Sequence, residues 1–309
     1  MQDFLSNLFL FRHTIIVGLA LAAACSLISV FIVLRKMSLI SDAIAHSGIG
    51  GIALTILAAG YLPTLFAPGS GLGPALNQII IGTFCLATAL LIGYFTKGKH
   101  VSEDSAIGIF LVASMALGIL LISANNHIWR FKNPFQNTDF EKILFGDLIT
   151  VSITEVYIAL AALAAVAILI ALFYNELVYT TLDEDMARIN GVNITFINIL
   201  QIFLNSLVIV VGVKMIGAMM ITALTILPGA TANMLSRKFN GVLLASFLTG
   251  FLGIAAGLFL AITPPLNNVS SGPVLVLTLF VIFLATWLFR RFTKPKIAQD
   301  ASSPTTHSH

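Results

Sequence analysis

The sequence predicts an all-helical protein that crosses a membrane about nine times. Its 309 residues are 58% hydrophobic and only 9% charged, whereas soluble domains carry about 25% charged residues. Apolar runs of about 20 residues, the length that spans a bilayer as a helix, recur along the chain. The third observation is that Lys and Arg gather in short loops between these runs, as the orientation of a multi-span protein requires.

Nine apolar runs are assigned as membrane spans. They cover residues 14–34, 42–62, 76–95, 105–124, 152–173, 194–212, 215–235, 241–262 and 273–290. Only Gly212 to Lys214 separates the sixth run from the seventh, so an eight-span arrangement stays open. Residues 1–291 then form one transmembrane domain. The tail, 292–309, has no apolar period and is predicted to be disordered, with His307 and His309 solvated rather than bound to metal.

The basic loops predict the orientation. Lys and Arg follow the first, third, seventh and last spans, and the positive-inside rule places these loops in the cytoplasm. The N-terminus is then outside and the C-terminus cytoplasmic. The loop 125–150 works against this arrangement, because it lies outside yet carries Arg130, Lys132 and Lys142. No basic cluster indicates a nucleic acid partner, so the surroundings are membrane lipid and other proteins.

The stretch from Met37 to Gly51, MSLISDAIAHSGIGG, carries the strongest candidate site. Asp42 and His46 are four residues apart, so a helix places them on one face. A carboxylate and an imidazole are two ligands for a divalent metal, and ionisable residues at membrane depth are most often functional. The small residues around them let another helix or a passing ion approach. The alternative is that Asp42 caps the helix and His46 bonds to a neighbouring carbonyl.

The loop 174–193 is predicted to contain a short helix outside the membrane, from about Leu182 to Asn190. Thr181 and Glu184 form a capping-box pattern at its start. Gly191 marks its end, where a positive φ is needed.

One face of this short helix is apolar. Leu182, Met186 and Ile189 lie on a single stripe, which suits docking to a soluble partner. The small Ala187 is expected to let that partner approach closely. The alternative is that the stripe packs on the protein's own bundle.

The run from Val213 to Arg237 is rich in small residues. Pro228 is expected to kink or break its helix, and broken helices often line translocation paths. Gly217 and Gly229 favour close helix contact. A packing kink is the alternative interpretation.

Taken together, these residues resemble the permease subunit of bacterial ABC importers for zinc, manganese or iron. RKMSLISDAIAHSGIGG resembles the family's R-R-M-S-x-x-x-D-x-x-x-H stretch, and ILFGDLITVS its F-G-D/S-L-L-x-V segment. LDEDMARINGV resembles the loop that contacts the ATPase, and VGVKMIGAMMITALTILPGATA resembles V-G-A-L-x-x-x-A-L-x-x-x-P-A-A-T-A. The resemblance covers nearly the whole chain. It departs at Gly229, where the family usually has Ala and where added flexibility is expected.

The resemblance implies a transport permease of the bacterial cytoplasmic membrane rather than an enzyme. The resemblance also implies that two copies form a homodimer, that a solute-binding protein delivers the cation, and that Asp42 and His46 contact it as transported substrate. No permanent cofactor is implied. ATP hydrolysis falls to a partner subunit, since the chain has no G-x-x-x-x-G-K-[ST] phosphate loop. The residues implied to dock the ATPase are Leu182, Asp183, Met186, Ala187, Ile189 and Gly191. Those implied to line the path or pack helices are Gly217, Pro228 and Gly229.

The metal and the energy source have alternatives. The segment from Lys214 to Gly217 resembles the zinc-transporting branch of the permease family, so zinc is favoured over manganese or iron. A stand-alone ion-coupled transporter would instead use Asp42, His46 and Lys214 as a proton relay. Dependence on an ATPase separates this possibility from the importer. A structural scaffold is disfavoured, because it has no use for charged residues inside a span.

Overall fold

Eleven helices make up the part of the chain that the structure, a computed structural model, describes: residues 12–66, 73–97, 102–125, 153–263 and 271–293. In chain order they are α1 (Arg12–Leu34), α2 (Ser38–Tyr61), α3 (Gly73–Lys97), α4 (Glu103–Ala124), α5 (Ile153–Leu172), α6 (Tyr174–Leu182), α7 (Glu184–Ile189), α8 (Ile194–Ile216), α9 (Ala218–Leu235), α10 (Phe239–Ile262) and α11 (Ser271–Thr293). Nine of these described helices are long and apolar enough to cross a membrane, which confirms the nine-span, all-helical prediction. The exceptions are α6 and α7.

Helices α1 and α2 occupy the centre of the bundle. About three quarters of each is buried, 78% and 72% of their apolar windows, against 17% for α11. The first packs against α5, α9 and α10, and the second against α3, α4, α8 and α9. Buried side chains of both, such as Ile28 and Ile49, belong to one continuous hydrophobic core. The stretch that carries Asp42 and His46 is therefore central.

The sixth and seventh spans are separate helices, but the boundary is not at the predicted position. Lys214 lies within α8, and the chain turns instead at Gly217, with φ 84° and ψ 159°. Few residues other than glycine adopt this conformation. Ile216 and Ala218 on either side are fully buried, so the turn between α8 and α9 lies inside the protein.

Pro228 does not break its helix, because α9 runs continuously through it. A proline leaves the turn before it without one hydrogen bond. A side chain from α1 bonds to the backbone of α9 on both sides of Pro228: Ser29 Oγ accepts the Gly229 N–H at 2.8 Å and donates to the Ile226 carbonyl at 3.4 Å. A Cβ on Gly229 would lie 2.5 Å from the Ser29 carbonyl oxygen. Gly229 thus permits close packing, a different role from the expected flexibility.

The segment between the fifth and sixth spans contains two helices where one was predicted. Asp183 caps α7, its carboxylate accepting the N–H groups of Asp185 and Met186 at 3.0 Å. The Thr181 hydroxyl instead donates to the Leu177 carbonyl within α6. The predicted capping box of Thr181 and Glu184 is therefore wrong, because α6 continues through Leu182 and keeps Thr181 helical.

The predicted end of the short helix is confirmed. Gly191 has φ 79°, and its N–H donates to the Arg188 carbonyl while the Val192 N–H donates to the Ala187 carbonyl. This pair of bonds is the Schellman arrangement that closes a helix with a left-handed residue.

Several predicted features lie outside the described residues. They are the loop from residue 126 to 152 with the ILFGDLITVS motif, and the tail from residue 294 with His307 and His309. The side chain of Lys214 is also outside the described part.

Candidate metal site and docking surface

Asp42 and His46 come together on the second and third turns of α2. His46 Nε2 lies 3.5 Å from Asp42 Oδ1, and the two side chains are 14% and 31% exposed. The Thr222 hydroxyl of α9 donates to Asp42 Oδ1 at 3.1 Å. The helix begins at Ser38 with Met37 as its N-cap residue, so Asp42 is not a cap. The structure thus supports the paired arrangement over that alternative.

His46 keeps an open nitrogen. Its Nδ1 is buried and has no hydrogen-bond partner among the described residues, which also argues against the alternative of a bond to a neighbouring carbonyl. Buried polar atoms without partners are rare and costly. A neutral imidazole carries one nitrogen lone pair that can bind a cation. Because Nδ1 is buried, a cation shared with Asp42 would meet Nε2, the ring nitrogen that faces the carboxylate.

Two side chains alone make a weak metal site. Within the described ranges, no three His, Cys, Asp or Glu residues come together. Tightly bound metals in proteins usually have at least three protein ligands, and conduction requires that an ion bind weakly enough to leave. One copy of the described chain thus suits transient contact with a cation rather than permanent storage.

The small residues beside the pair position α2 against its neighbours. A Cβ on Gly48 would lie 2.8 Å from a Val213 methyl of α8, and one on Gly50 would lie 2.6 Å from the Phe84 ring of α3. Larger residues at these two places would push the helices apart. The prediction that small residues allow close helix approach is confirmed.

A polar stripe on α8 was missed by the sequence reasoning. Its three amide side chains are Asn198, Gln201 and Asn205. The last donates to Ser41 Oγ at 2.8 Å, and each has a buried polar atom without a partner in the described part of the chain. Their spacing of three and four residues within an apolar run was the available signal.

This stripe does not extend the metal site. Ser41 and Asp42 are consecutive, so their side chains point about 100° apart around α2. The amide of Asn205 meets Ser41, whereas Asp42 meets Thr222 on α9. Through Asn205, the polar stripe therefore holds the beginning of α2 on a face different from the one that carries Asp42.

The apolar stripe of the α6–α7 segment is open, and we call it the docking stripe. Of its members, Leu182 ends α6, whereas Met186 and Ile189 lie in α7, so the prediction that all three share one helix face is wrong for Leu182. The three side chains are 65%, 57% and 80% exposed, so the alternative of a stripe packed on its own bundle is also wrong. Ala187 is fully buried, and α7 contacts α6 and α8. The expectation that Ala187 faces a partner is also wrong, because its small side chain lies against the chain's own fold.

Comparison with known proteins gives a consistent result. The chain matches the ABC 3 transport family over residues 7–290. It is 31% identical to the manganese transport system membrane protein MntC of Halalkalibacterium halodurans, over 90% of this chain and 89% of the relative. It is 28% identical to the manganese import system permease protein ScaB of Streptococcus gordonii, over 96% and 99% of the two chains.

A solved structure has the same fold. A chain of PsaBC from Streptococcus pneumoniae, determined in complex with Fab, matches with a TM-score of 0.77 at 29% identity, over 93% of this chain and 95% of that one. The resemblance drawn from the motifs is confirmed. With nine helices able to cross a membrane in its described part, this integral membrane protein is a transport permease and belongs to the ABC 3 transport family.

Proposed function

We propose that this chain is the membrane-spanning subunit of a bacterial ABC importer that carries manganese. The relatives named above are manganese transport proteins that match almost their whole length. They support the manganese alternative better than the zinc preference drawn from Lys214 to Gly217. A carboxylate and an imidazole are also compatible with Mn²⁺, although this ligand pair does not by itself exclude zinc or ferrous iron.

The pairing of Asp42 with His46 is the observation that carries this proposal. The carboxylate attracts a divalent cation, and His46 Nε2, which lies 3.5 Å from Asp42 Oδ1, can replace part of the hydration shell of the same ion. The hydroxyl of Thr222 holds the carboxylate from the facing helix. Because both side chains remain partly exposed, an ion can reach them and leave again.

A homodimer would complete the site. Two-fold pairing of identical chains can bring the same residues of both copies close to one axis. Four ligands, two from each copy, would then contact one ion along a shared path. The shortage of ligands in a single described chain supports this arrangement.

The energy comes from a separate ATPase bound to the docking stripe. The sequence lacks a phosphate-binding loop, and membership of an ABC transport family supports a soluble ATPase partner together with a solute-binding protein. The proposed orientation places α6 and α7 in the cytoplasm, where ATP is available, and the N-terminus outside. The chain would lie in the bacterial cytoplasmic membrane. Family membership favours this account over an ion-coupled transporter.

Metal accumulation tests this proposal. Cells that lack the chain should regain radiolabelled Mn²⁺ uptake when it is returned, and unlabelled Mn²⁺ should compete better than Zn²⁺ or Fe²⁺ at the same concentration. Deleting the partner ATPase should abolish the recovered uptake. Recovery of Zn²⁺ uptake without Mn²⁺ uptake would restore the zinc preference, and uptake that persists without the ATPase would favour the ion-coupled transporter.

A further inference from the structure

We propose that Arg35 transmits movement of α7 to α2, the helix that carries Asp42 and His46. This inference rests on the proposed docking of the ATPase at the docking stripe. It assigns a positioning role to a residue that contacts neither the docking stripe nor the pair of Asp42 and His46.

Arg35 joins three elements at the end of α1. Its guanidinium donates to the carboxylate of Glu184, the first residue of α7, and to Gln201 Oε1 of α8 at 2.6 Å. Its side chain is only 8% exposed. Charge-assisted bonds of this kind are stronger than neutral ones, and removing one partner leaves a largely buried charge uncompensated. Arg35 therefore follows Glu184 when α7 moves.

The other end of the α6–α7 segment is held by uncharged contacts. The Tyr174 hydroxyl donates to Asn240 Oδ1 of α10, and its ring lies 6.1 Å from that of Phe239. Phe239 in turn lies 5.7 Å from Phe31 of α1. Among the described residues, the bond of Arg35 with Glu184 is the only ion pair that involves α7. A change at Glu184 thus affects one connection and leaves the aromatic anchor in place.

The corner between α1 and α2 is short and tightly bonded. Lys36 has φ 58°, the Lys36 N–H donates to the Val33 carbonyl at 3.2 Å, and the Met37 N–H donates to the Ile32 carbonyl at 2.9 Å. These bonds form a Schellman arrangement with Lys36 in the left-handed position.

The corner leads directly into the metal helix. The Ser41 N–H donates to the Met37 carbonyl, and Asp42 is the next residue. No flexible linker separates Arg35 from Asp42, since α2 begins at Ser38. A displacement of Arg35 is therefore passed to the start of α2 and to the cation ligands, a physical connection of the kind that can couple two sites.

The test uses the whole permease–ATPase complex, reconstituted in liposomes with its solute-binding protein and Mn²⁺. Three quantities are measured for each variant: ATPase co-purification, ATP hydrolysis and Mn²⁺ transported per ATP. For Glu184→Gln and Arg35→Gln we expect co-purification and hydrolysis to remain, while transport per ATP falls about 2- to 30-fold, the range of typical coupling energies. The matched control is Asp185→Asn, which removes an exposed charge from the same turn and should leave transport per ATP unchanged.

Charge reversal separates transmission from general damage. Arg35→Glu alone places a carboxylate against that of Glu184. Of these variants it should reduce transport per ATP most. Adding Glu184→Arg restores an ion pair, and the free Nε2 of Gln201 can then donate to the new carboxylate. We expect partial recovery, because the reversed charges are unfavourable at these two helix ends.

Four results would overturn the role of Arg35: unchanged transport per ATP in Glu184→Gln, the same loss in Asp185→Asn, no recovery in the reversed pair, or parallel loss of transport and ATPase association. The last would mean that the ion pair builds the docking surface itself. Failure of the proposed function is distinguishable, because the unmodified complex would then not transport Mn²⁺ at all.

Discussion

Asp42→Asn and His46→Gln are each expected to lower Mn²⁺ uptake more than about tenfold while the permease still assembles with its ATPase. Loss of a residue that merely supports a metal ligand typically costs 10- to 100-fold in affinity or activity, and these two residues are the proposed ligands themselves. Asn keeps the shape of Asp42 without its charge, and Gln removes the imidazole. Radiolabelled Mn²⁺ uptake, normalised to permease in the membrane, measures the effect.

Two further substitutions serve as controls for this result. Asp104→Asn removes an exposed carboxylate in the first turn of α4 and should leave uptake normal. Thr222→Val removes the hydroxyl that bonds to Asp42 and should give an intermediate loss, since the carboxylate itself remains. Normal uptake by well-expressed Asp42→Asn or His46→Gln would show that the pair does not contact the ion.

Met186→Glu is expected to separate the permease from its ATPase. Truncation of a central interface residue often costs 2 kcal/mol or more, and a carboxylate set into an apolar contact adds a desolvation cost. We therefore expect association to weaken at least about 30-fold. Co-purification of the two subunits and stimulation of ATP hydrolysis measure the loss. The exposed position of Met186 means that the folded permease should tolerate the change.

Met186 is exposed, whereas its neighbours Ala187 and Gly191 are constrained by the fold. Ala187→Glu would force a charged side chain into a fully buried position. Gly191→Val would place a branched residue at φ 79°, which is strained. Both would disturb α7 itself and blur the result. Met186→Leu is the matched control and should keep full association. Leu182→Glu places a charge at a second member of the docking stripe. If both Met186→Glu and Leu182→Glu kept full ATPase association and transport, the docking role would be wrong.

The spans and the metal pair could be predicted from sequence because their signals are local. A run of about 20 apolar residues must be a helix in a membrane, and residues four apart on a helix share a face. The turn at Gly217 is an example of what local signals do not predict. Hydropathy placed the boundary between the sixth and seventh spans near Lys214, whereas the chain turns at Gly217, where the backbone has φ 84°.

The α6–α7 segment was harder to predict because two helix starts compete within it. Thr181 and Asp183 are both good capping residues, and only the length of α6 decides which of them is free to cap. The stripe pattern showed which face of α7 is apolar, but it could not show that Ala187 meets α6 or α8 rather than a partner.

The role of Arg35 lies beyond any local pattern. In the sequence it begins the RKMSLISDAIAHSGIGG motif and follows a span as the positive-inside rule requires, but neither observation identifies the residues that it contacts. Its partners Glu184 and Gln201 are 149 and 166 residues away. A contact of this kind depends on how α1, α7 and α8 pack together.

The central claim is that the imidazole of His46 binds the transported cation, and electron spin echo spectroscopy of Mn²⁺ bound to the purified complex tests it most directly. Nitrogen nuclei coordinated to Mn²⁺ modulate the echo, so the unmodified complex should show nitrogen coupling. The coupling should disappear in His46→Gln and persist when both His307 and His309 are changed to Gln. Coupling that survives in His46→Gln but vanishes with the two tail histidines would contradict the account.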